Sequence, residues 1–451
     1  MKRTKEWGGA TMFSLRTNKR RNGEWIKISA RRTGFTLLLF VFGWSSGLLA
    51  QAQTLSLAQC LELARQHSFR LQAAAQQVQA AGAVYRSGRS RYFPHVGAAL
   101  SHAQSFYRHY DFRQQAGQAG LDWGIGDWLL QSAEAERKNW LAEEANREQI
   151  ALEVTQRVAA LYLAILQMQV KLELLANRRQ LLNEHAQVAN ALWLAGARTQ
   201  FDVLQTQAAI QQLQEEMLAA ELEADNLRRE LAQRLALPDY RALQLRDFPS
   251  SFSAIDSLAE LRPISLQQNP LLKSLALQYE AQQLRLRQVR AARLPHLQFA
   301  GGYVVDRDPT AEGNYWQVGA GLQFPLFRWG LSKFQQQEIR AGARALQLQQ
   351  AETGRELQIQ LDQINTKLEK LREIYRAQEQ RLEVNQKSFQ LATANYKAGL
   401  ITNLEYLAAQ KDLTENQLTL QETRLSFLLG VIERYTLTNQ TAKIAVLQGE
   451  K

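Results

Sequence analysis

AGARTQFDVL spans Ala195–Leu204, and AGLITNLEYL spans Ala398–Leu407. Both follow the order Ala-Gly-x-x-Thr-x-x-acid-x-Leu, 203 positions apart. Gly196 and Gly399 suit the residue just past a helix, where a left-handed backbone penalises any side chain. Thr199 and Thr402 suit an N-cap, and Asp202 and Glu405, three residues on, complete a Thr-x-x-acid capping box. Apolar periodicity resumes at once, with Val203 and Leu204 in one copy and Leu404 and Leu407 in the other. Each stretch therefore predicts a helix reversed in minimal length, the tip of a helical hairpin.

The repetition extends beyond the tips. RYFPHVGAAL (91–100) answers ARLPHLQFAG (292–301), and AGLDWGIGDW (119–128) answers AGLQFPLFRW (320–329), both at an offset of 201. Repetition over this length predicts a duplicated unit. The eight prolines fall at 94, 238, 249, 263, 270, 295, 309 and 325. An interior proline costs a helix about 3 kcal/mol, so the proline-free windows 95–237 and beyond 325 are where long helices fit. The prolines at 238–270 mark a connector. Residues 53–247 form the first expected repeat, with strands about 94–106 and 116–125 and a long helical hairpin over 127–237. Residues 248–451 form the second, with strands about 295–305 and 315–325 and a hairpin over 328–438.

In 295–305, Leu297, Phe299, Tyr303 and Val305 share one face, and Gln298, Ala300 and Gly302 the other. In 315–325, Trp316, Val318, Ala320, Leu322 and Phe324 alternate with Tyr315, Gln317, Gly319, Gly321 and Gln323. Eleven-residue strands, apolar on one face and small or polar on the other, fit a transmembrane barrel facing lipid and a lumen. Leu297, Phe299, Tyr303, Trp316, Val318, Leu322 and Phe324 are the expected lipid-facing residues. The first repeat is a weaker copy, through Val96, Ala98, Leu100, Leu121, Trp123 and Ile125. Tyr92, Phe93, Trp123, Trp128, Phe324, Phe327 and Trp329 gather at strand ends, as an interfacial aromatic girdle does. Beyond the strands, Leu357, Leu361, Ile364, Leu368, Leu371 and Tyr375 step by four and three, continuing by sevens to Leu382, Phe389 and Tyr396. Val154, Val158, Leu161, Ile165, Met168, Leu172, Leu175, Leu182, Ala186, Ala189 and Trp193 make the matching row. Such heptads predict coiled-coil packing. Four strands cannot close a barrel, and open sheet edges do not survive in lipid. The chain must then assemble with copies of itself; two copies give eight strands and three give twelve with a pore.

Residues 1–32 carry ten of the basic residues against Glu6 and Glu24, which is +8 of the net +11. The remainder is nearly neutral and has no basic patch with interleaved aromatics, so no nucleic-acid partner is expected. GFTLLLFVFGWSSGLLAQA follows, ending in the Ala-x-Ala of Ala50 and Ala52, so residues 1–52 are expected to be a secretory signal peptide. Cys60, the single cysteine, reads as a buried small hydrophobe. The six histidines are scattered; His102 and His109 have no ligand-like companions, and loop or pore-facing positions are expected for them. Neither a nucleotide-binding loop nor a metal or cofactor motif is present, so the chain reads as a non-enzyme without cofactors.

The paired Pro-His strand starts, QFPLFRWG and the two tips together resemble the TolC-like outer membrane efflux (outer membrane factor) family, from about Leu55 to Thr438. The resemblance implies a mainly α protein with a β-barrel part. Its duplicated helix–β-hairpin–long helical hairpin unit would form a homotrimeric 12-stranded transmembrane barrel that continues into a periplasmic α-helical coiled-coil tunnel. It implies location in the cell outer membrane, with most of the chain in the periplasm. It further implies a passive exit duct of a tripartite efflux or type I secretion system, beside a periplasmic membrane-fusion (adaptor) protein and an inner-membrane pump of RND, ABC or MFS type. A periplasmic coiled-coil scaffold or adaptor without a barrel is the competing expectation. In the family a tyrosine, a basic residue and acids close the periplasmic aperture. Tyr396, Glu405 and Asp202 match the tyrosine and the acids, whereas Ile401 stands at the basic position and Ala408 replaces a second acid. Arg198 is the expected substitute cation. The tip residues expected to touch an adaptor are Gly196, Arg198, Thr199, Asp202, Gly399, Leu400, Thr402 and Glu405.

Overall fold

A computed structural model describes residues 54–106, 111–124, 133–241, 243–248, 252, 265–307, 313–326 and 329–448. The expected signal peptide (1–52), His109, Trp128 and Phe327 lie outside these residues. The first repeat runs β1 (Thr54–Leu55), α1 (Leu57–His67), α2 (Phe69–Ser90), β2 (His95–Phe106), β3 (Asp111–Gly124), α3 (Glu134–Leu194), α4 (Gln200–Leu235) and β4 (Gln244–Leu245). The second runs α5 (Pro270–Ala291), β5 (His296–Arg307), β6 (Gly313–Gln323), α6 (Leu331–Lys397), α7 (Asn403–Leu437) and α8 (Ala442–Val446). The duplication is visible in the pairs α2/α5, β2/β5, α3/α6 and α4/α7. At 1.5 Å rise per residue, the 61 residues of α3 extend about 90 Å and the 67 of α6 about 100 Å.

The expected boundaries shift by a few residues. β3 starts at Asp111 rather than 116, because the ladder continues through Asp111–Gln115, paired with His102–Phe106, although this stretch lacks sustained apolar alternation. β6 ends at Gln323, just before Phe324 and Pro325, whose nitrogen cannot donate to a ladder.

The heptad row of α6 is internal as expected. Leu357, Leu361, Leu368, Tyr375 and Tyr396 are buried, and Ile364, Leu371, Leu382 and Phe389 are half-buried. On α3 the row is not a single stripe. Leu152, Thr155, Val158, Ala159, Leu161, Tyr162, Leu163, Ile165 and Leu166 are all buried, since α1, α4, α5 and α7 pack along this helix. Among the described residues α3 is the one helix long and apolar enough to cross a membrane by composition, and this packing is where its apolar surface goes.

The main core joins α1, mid-α3, α4 and α7 through Cys60, Tyr162, Ile165, Leu231, Phe427 and Val431. Burial pushes the Cys60 thiol up to about 12, which fits the small-hydrophobe reading. Tyr162 seals the base of this core. Its hydroxyl lies against the carbonyls of Leu55, on β1, and Arg246, just past β4 of the short parallel β1–β4 pair, and accepts from Gln448 Nε2 at 3.0 Å.

The sheet order is β2-β3-β5-β6, antiparallel throughout. Its register puts Val96, Leu100, Leu121, Leu297, Phe299, Tyr303, Trp316, Val318 and Leu322 on one face. His95, Gln118, Asp122, Gln298, Gln317 and Gln323 occupy the other. The apolar face is bare in the protomer: Leu100 is 92%, Val318 86% and Trp316 77% exposed. Strands β3 and β5 approach closely where glycines face each other. A Cβ on Gly302 would stand 2.9 Å from the Ala119 carbonyl oxygen and 3.0 Å from Gly120 Cα. Gly302→Val must therefore spread the β3–β5 ladder, an overpacking loss of about 1–3 kcal/mol. Heat-modifiability on gels should report a smaller folded fraction for this variant than for wild type.

Candidate functional site at the helical tips

Both tips close as the sequence predicts. In the first, Gly196 lies at φ +73°, Gly196 N–H donates to Trp193 O at 2.9 Å, and Ala197 N–H donates to Leu192 O at 2.9 Å. In the second, Gly399 lies at φ +76°, with Gly399 N–H on Tyr396 O at 3.1 Å and Leu400 N–H on Asn395 O at 2.9 Å. Both are Schellman closures. Each threonine cap then starts the returning helix. Asp202 N–H donates to Thr199 Oγ1 and Thr199 N–H to Asp202 Oδ2, both at 3.4 Å. Glu405 N–H donates to Thr402 Oγ1 at 3.3 Å, while Thr402 N–H and Oγ1–H reach Glu405 Oε2 at 2.7 and 2.9 Å. The Thr402 backbone N–H, and then its hydroxyl, hold the Glu405 carboxyl below the usual range. The acids assigned to the aperture thus also serve as capping partners.

The two tips of one chain are joined. Arg198 Nη2 donates to Ile401 O at 2.5 Å and to Tyr396 O at 3.4 Å, and its guanidinium lies 4.8 Å from the Tyr396 ring centroid. The expected substitute cation reaches the neighbourhood of Ile401, but its partners are carbonyls and a ring rather than the aperture acids. Tyr396 is buried, and its ring centroid is 4.6 Å from His185 and 5.6 Å from Tyr406. Burial, then the Asp202 charge, lifts its hydroxyl above the usual range, and Arg198 opposes this.

Beneath the tips lies a group that the sequence reading missed. His185 on α3 stacks on Tyr406 of α7, with centroids 3.8 Å apart and planes 12° apart. His185 Nε2 is 2.7 Å from Asn403 Oδ1. Asn403 Nδ2 donates to Asp202 O at 3.0 Å and Gln205 Oε1 at 3.3 Å, and Thr206 Oγ1 lies 3.3 Å from Asn403 Oδ1. His185 is therefore a buried histidine, a role the sequence reading did not assign to it. The signal was present in the spacing: Leu182, His185 and Ala189 step by three and four, so the imidazole occupies a core heptad position.

Elsewhere the tips are open and apolar. Leu194, Phe201, Leu204, Leu400 and Leu404 are exposed, as are Thr199, Thr402 and both turn glycines. The expected lipid-facing residues meet on one sheet face at the far end of the long helices. Phe324 lies just past the ladder and is also exposed. Among the described residues no cluster of side chains could hold a metal ion.

This pairing of a bare apolar sheet with duplicated helical hairpins is the architecture of an outer-membrane channel protein. The outer membrane efflux protein family matches the chain over residues 60–236 and 261–438, one segment per repeat, and the chain belongs to that family. It is an outer-membrane efflux channel protein rather than an enzyme. Several crystal structures share the fold. The outer membrane protein VceC of Vibrio cholerae has a TM-score of 0.73 at 18% identity, over 85% of this chain and 96% of that one. The CmeC outer membrane channel of Campylobacter jejuni has a TM-score of 0.72 at 16% identity, over 85% and 86%. The open state of the Neisseria gonorrhoeae MtrE outer membrane channel has a TM-score of 0.72 at 16% identity, over 86% and 90%. No curated protein sequence matches the chain.

Two outcomes follow from the tip geometry. An alanine at Gly399 meets no neighbour, so Gly399→Ala should lose only the left-handed backbone penalty, about 1–2 kcal/mol, read as a lower melting temperature. Burial holds the His185 pKa below its ordinary value of 6.5, opposed by the Asn403 hydrogen bond and the Asp202 charge. The folded tip then binds fewer protons than the unfolded chain. Stability from this group is complete above that value and declines as pH falls below it. The melting temperature should drop more between pH 7.5 and 5.5 in wild type than in His185→Gln, and equal drops would contradict this.

Proposed function

We propose that the chain is the exit duct of a tripartite efflux or type I secretion system, a homotrimer whose twelve strands close one barrel across the outer membrane. The carrying observation is the four-stranded sheet with an exposed apolar face and two outer strands, β2 and β6, without a described partner in the protomer. In hydrocarbon each unpaired backbone group costs several kcal/mol, so β6 of one copy pairs with β2 of the next until the ring closes. The polar sheet face then lines an aqueous lumen, and the long helices carry that lumen into the periplasm.

The chain has no visible energy source, so transport is passive and a partner supplies the drive. The exposed apolar tips, with Gly196, Arg198, Thr199, Asp202, Gly399, Leu400, Thr402 and Glu405, form the surface offered to a periplasmic adaptor that connects to an inner-membrane pump. The same end forms the aperture, around Tyr396, Glu405 and Asp202. Two measurements test this reading. Purified protein added to a planar lipid bilayer should produce discrete conductance steps. Cysteine cross-linkers at Arg198 and Leu400 should capture an adaptor in cells, whereas cross-linkers on α2 should not. A protein that leaves the bilayer silent, or is extracted from membranes by carbonate, contradicts the channel.

A further inference from the structure

We infer that Asn403 is a positioning residue that latches the second tip of each chain onto the first, and that this latch holds the aperture narrow. The inference rests on reading the tips as the periplasmic mouth of the duct. Asn403 is the first residue of α7, directly after the Thr402 cap. Helix formation asks for nothing polar there, and a first-turn residue at a hairpin tip is ordinarily solvated. The matching position of the first tip, 203 residues earlier, is Gln200, which is exposed. Asn403 is 0% exposed instead.

Its amide orientation follows from its neighbours. The Asp202 carbonyl can only accept, so the group facing it at 3.0 Å is the Asn403 NH2. The other side is then the amide oxygen, which can only accept, so His185 carries its proton on Nε2 and donates it across 2.7 Å. The Thr206 proton is shared between Asp202 O at 3.0 Å and Asn403 Oδ1 at 3.3 Å. Every bond of the Asn403 side chain therefore runs to the other hairpin, to α3 through His185 and to α4 through Asp202, Gln205 and Thr206. The Asn403 amide is buried with its oxygen and its NH2 both paired, which favours one arrangement, whereas apolar contact alone tolerates sliding. Tyr406 stacks over the imidazole and excludes water from the bond. The Arg198 tie to Ile401 and Tyr396 is half-exposed, which leaves the desolvated Asn403 group as the firmer hold. Without it, the first turn of α7, carrying Leu404 and Glu405 and following Leu400, is free to swing from α3, and the mouth widens.

Single-channel recording on the full-length assembly tests this with one pair of variants and one double-cysteine variant. His185→Gln keeps a donor for Asn403 Oδ1 and should conduct like wild type; His185→Phe keeps a ring against Tyr406 but no donor, and conductance should rise several-fold. Equal conductance in the two variants overturns the latch. Thr206→Cys combined with Asn403→Cys provides its own folding control, because one protein is read in two states. Reduced, it should conduct several-fold above wild type; oxidised, with the tips tied covalently, it should return to the wild-type level. Conductance indifferent to reductant overturns the latch while leaving the channel reading intact. A wild-type protein with no conductance at all overturns both.

Discussion

The constraint on which the rest depends is the unpaired backbone at the two rims of the sheet. A strand edge in water is a hazard; in hydrocarbon it is untenable, because no solvent is present to satisfy its N–H and C=O groups. The protomer nevertheless presents Leu100, Val318 and Trp316 bare on one face of a sheet that ends at β2 on one side and β6 on the other. The apolar face asks for lipid, and lipid asks for a closed ring. On the proposed reading, self-assembly is therefore a condition for burying the strands at all. The polar opposite face, rich in glutamine and glycine, becomes the natural wall of an aqueous lumen.

The helices solve a different problem with the same duplicated plan. A tunnel wall needs long elements that reverse without bulk, and the Gly–x–x–Thr–x–x–acid order supplies that: one left-handed residue to end the outgoing helix and one cap to begin the return. The two tips are chemically alike as turns but unlike in what they touch. The first lends Arg198 to the second, and the second inserts Asn403 beneath the first. The repeat thus builds two copies of one hairpin and then departs from symmetry where they meet.

That division explains what could be read from the chain alone. Period-two alternation in 295–305 and 315–325, heptads in α6 and the tip turns depend on neighbours in sequence, so they are legible in the sequence alone. The sheet register then confirmed the face shared by Leu297, Phe299, Tyr303, Trp316, Val318 and Leu322. The buried His185–Asn403 pair was not legible, since its members stand 218 residues apart and neither residue type names its partner. The wide burial on mid-α3 was missed for the same reason, because it depends on which helices surround that segment. Tyr162 and Gln448, 286 residues apart, seal the core with the small β1–β4 pair, whose strands are two residues each and too short to leave a pattern. Tyr396 was singled out by resemblance, but its place under Arg198 came only from the fold.

Sedimentation equilibrium of the detergent-solubilised protein at matched solvent density tests the central claim most directly. The account predicts a mass of three chains, stable on dilution and lost only on unfolding. A single chain that stays monodisperse after the detergent is removed would contradict it.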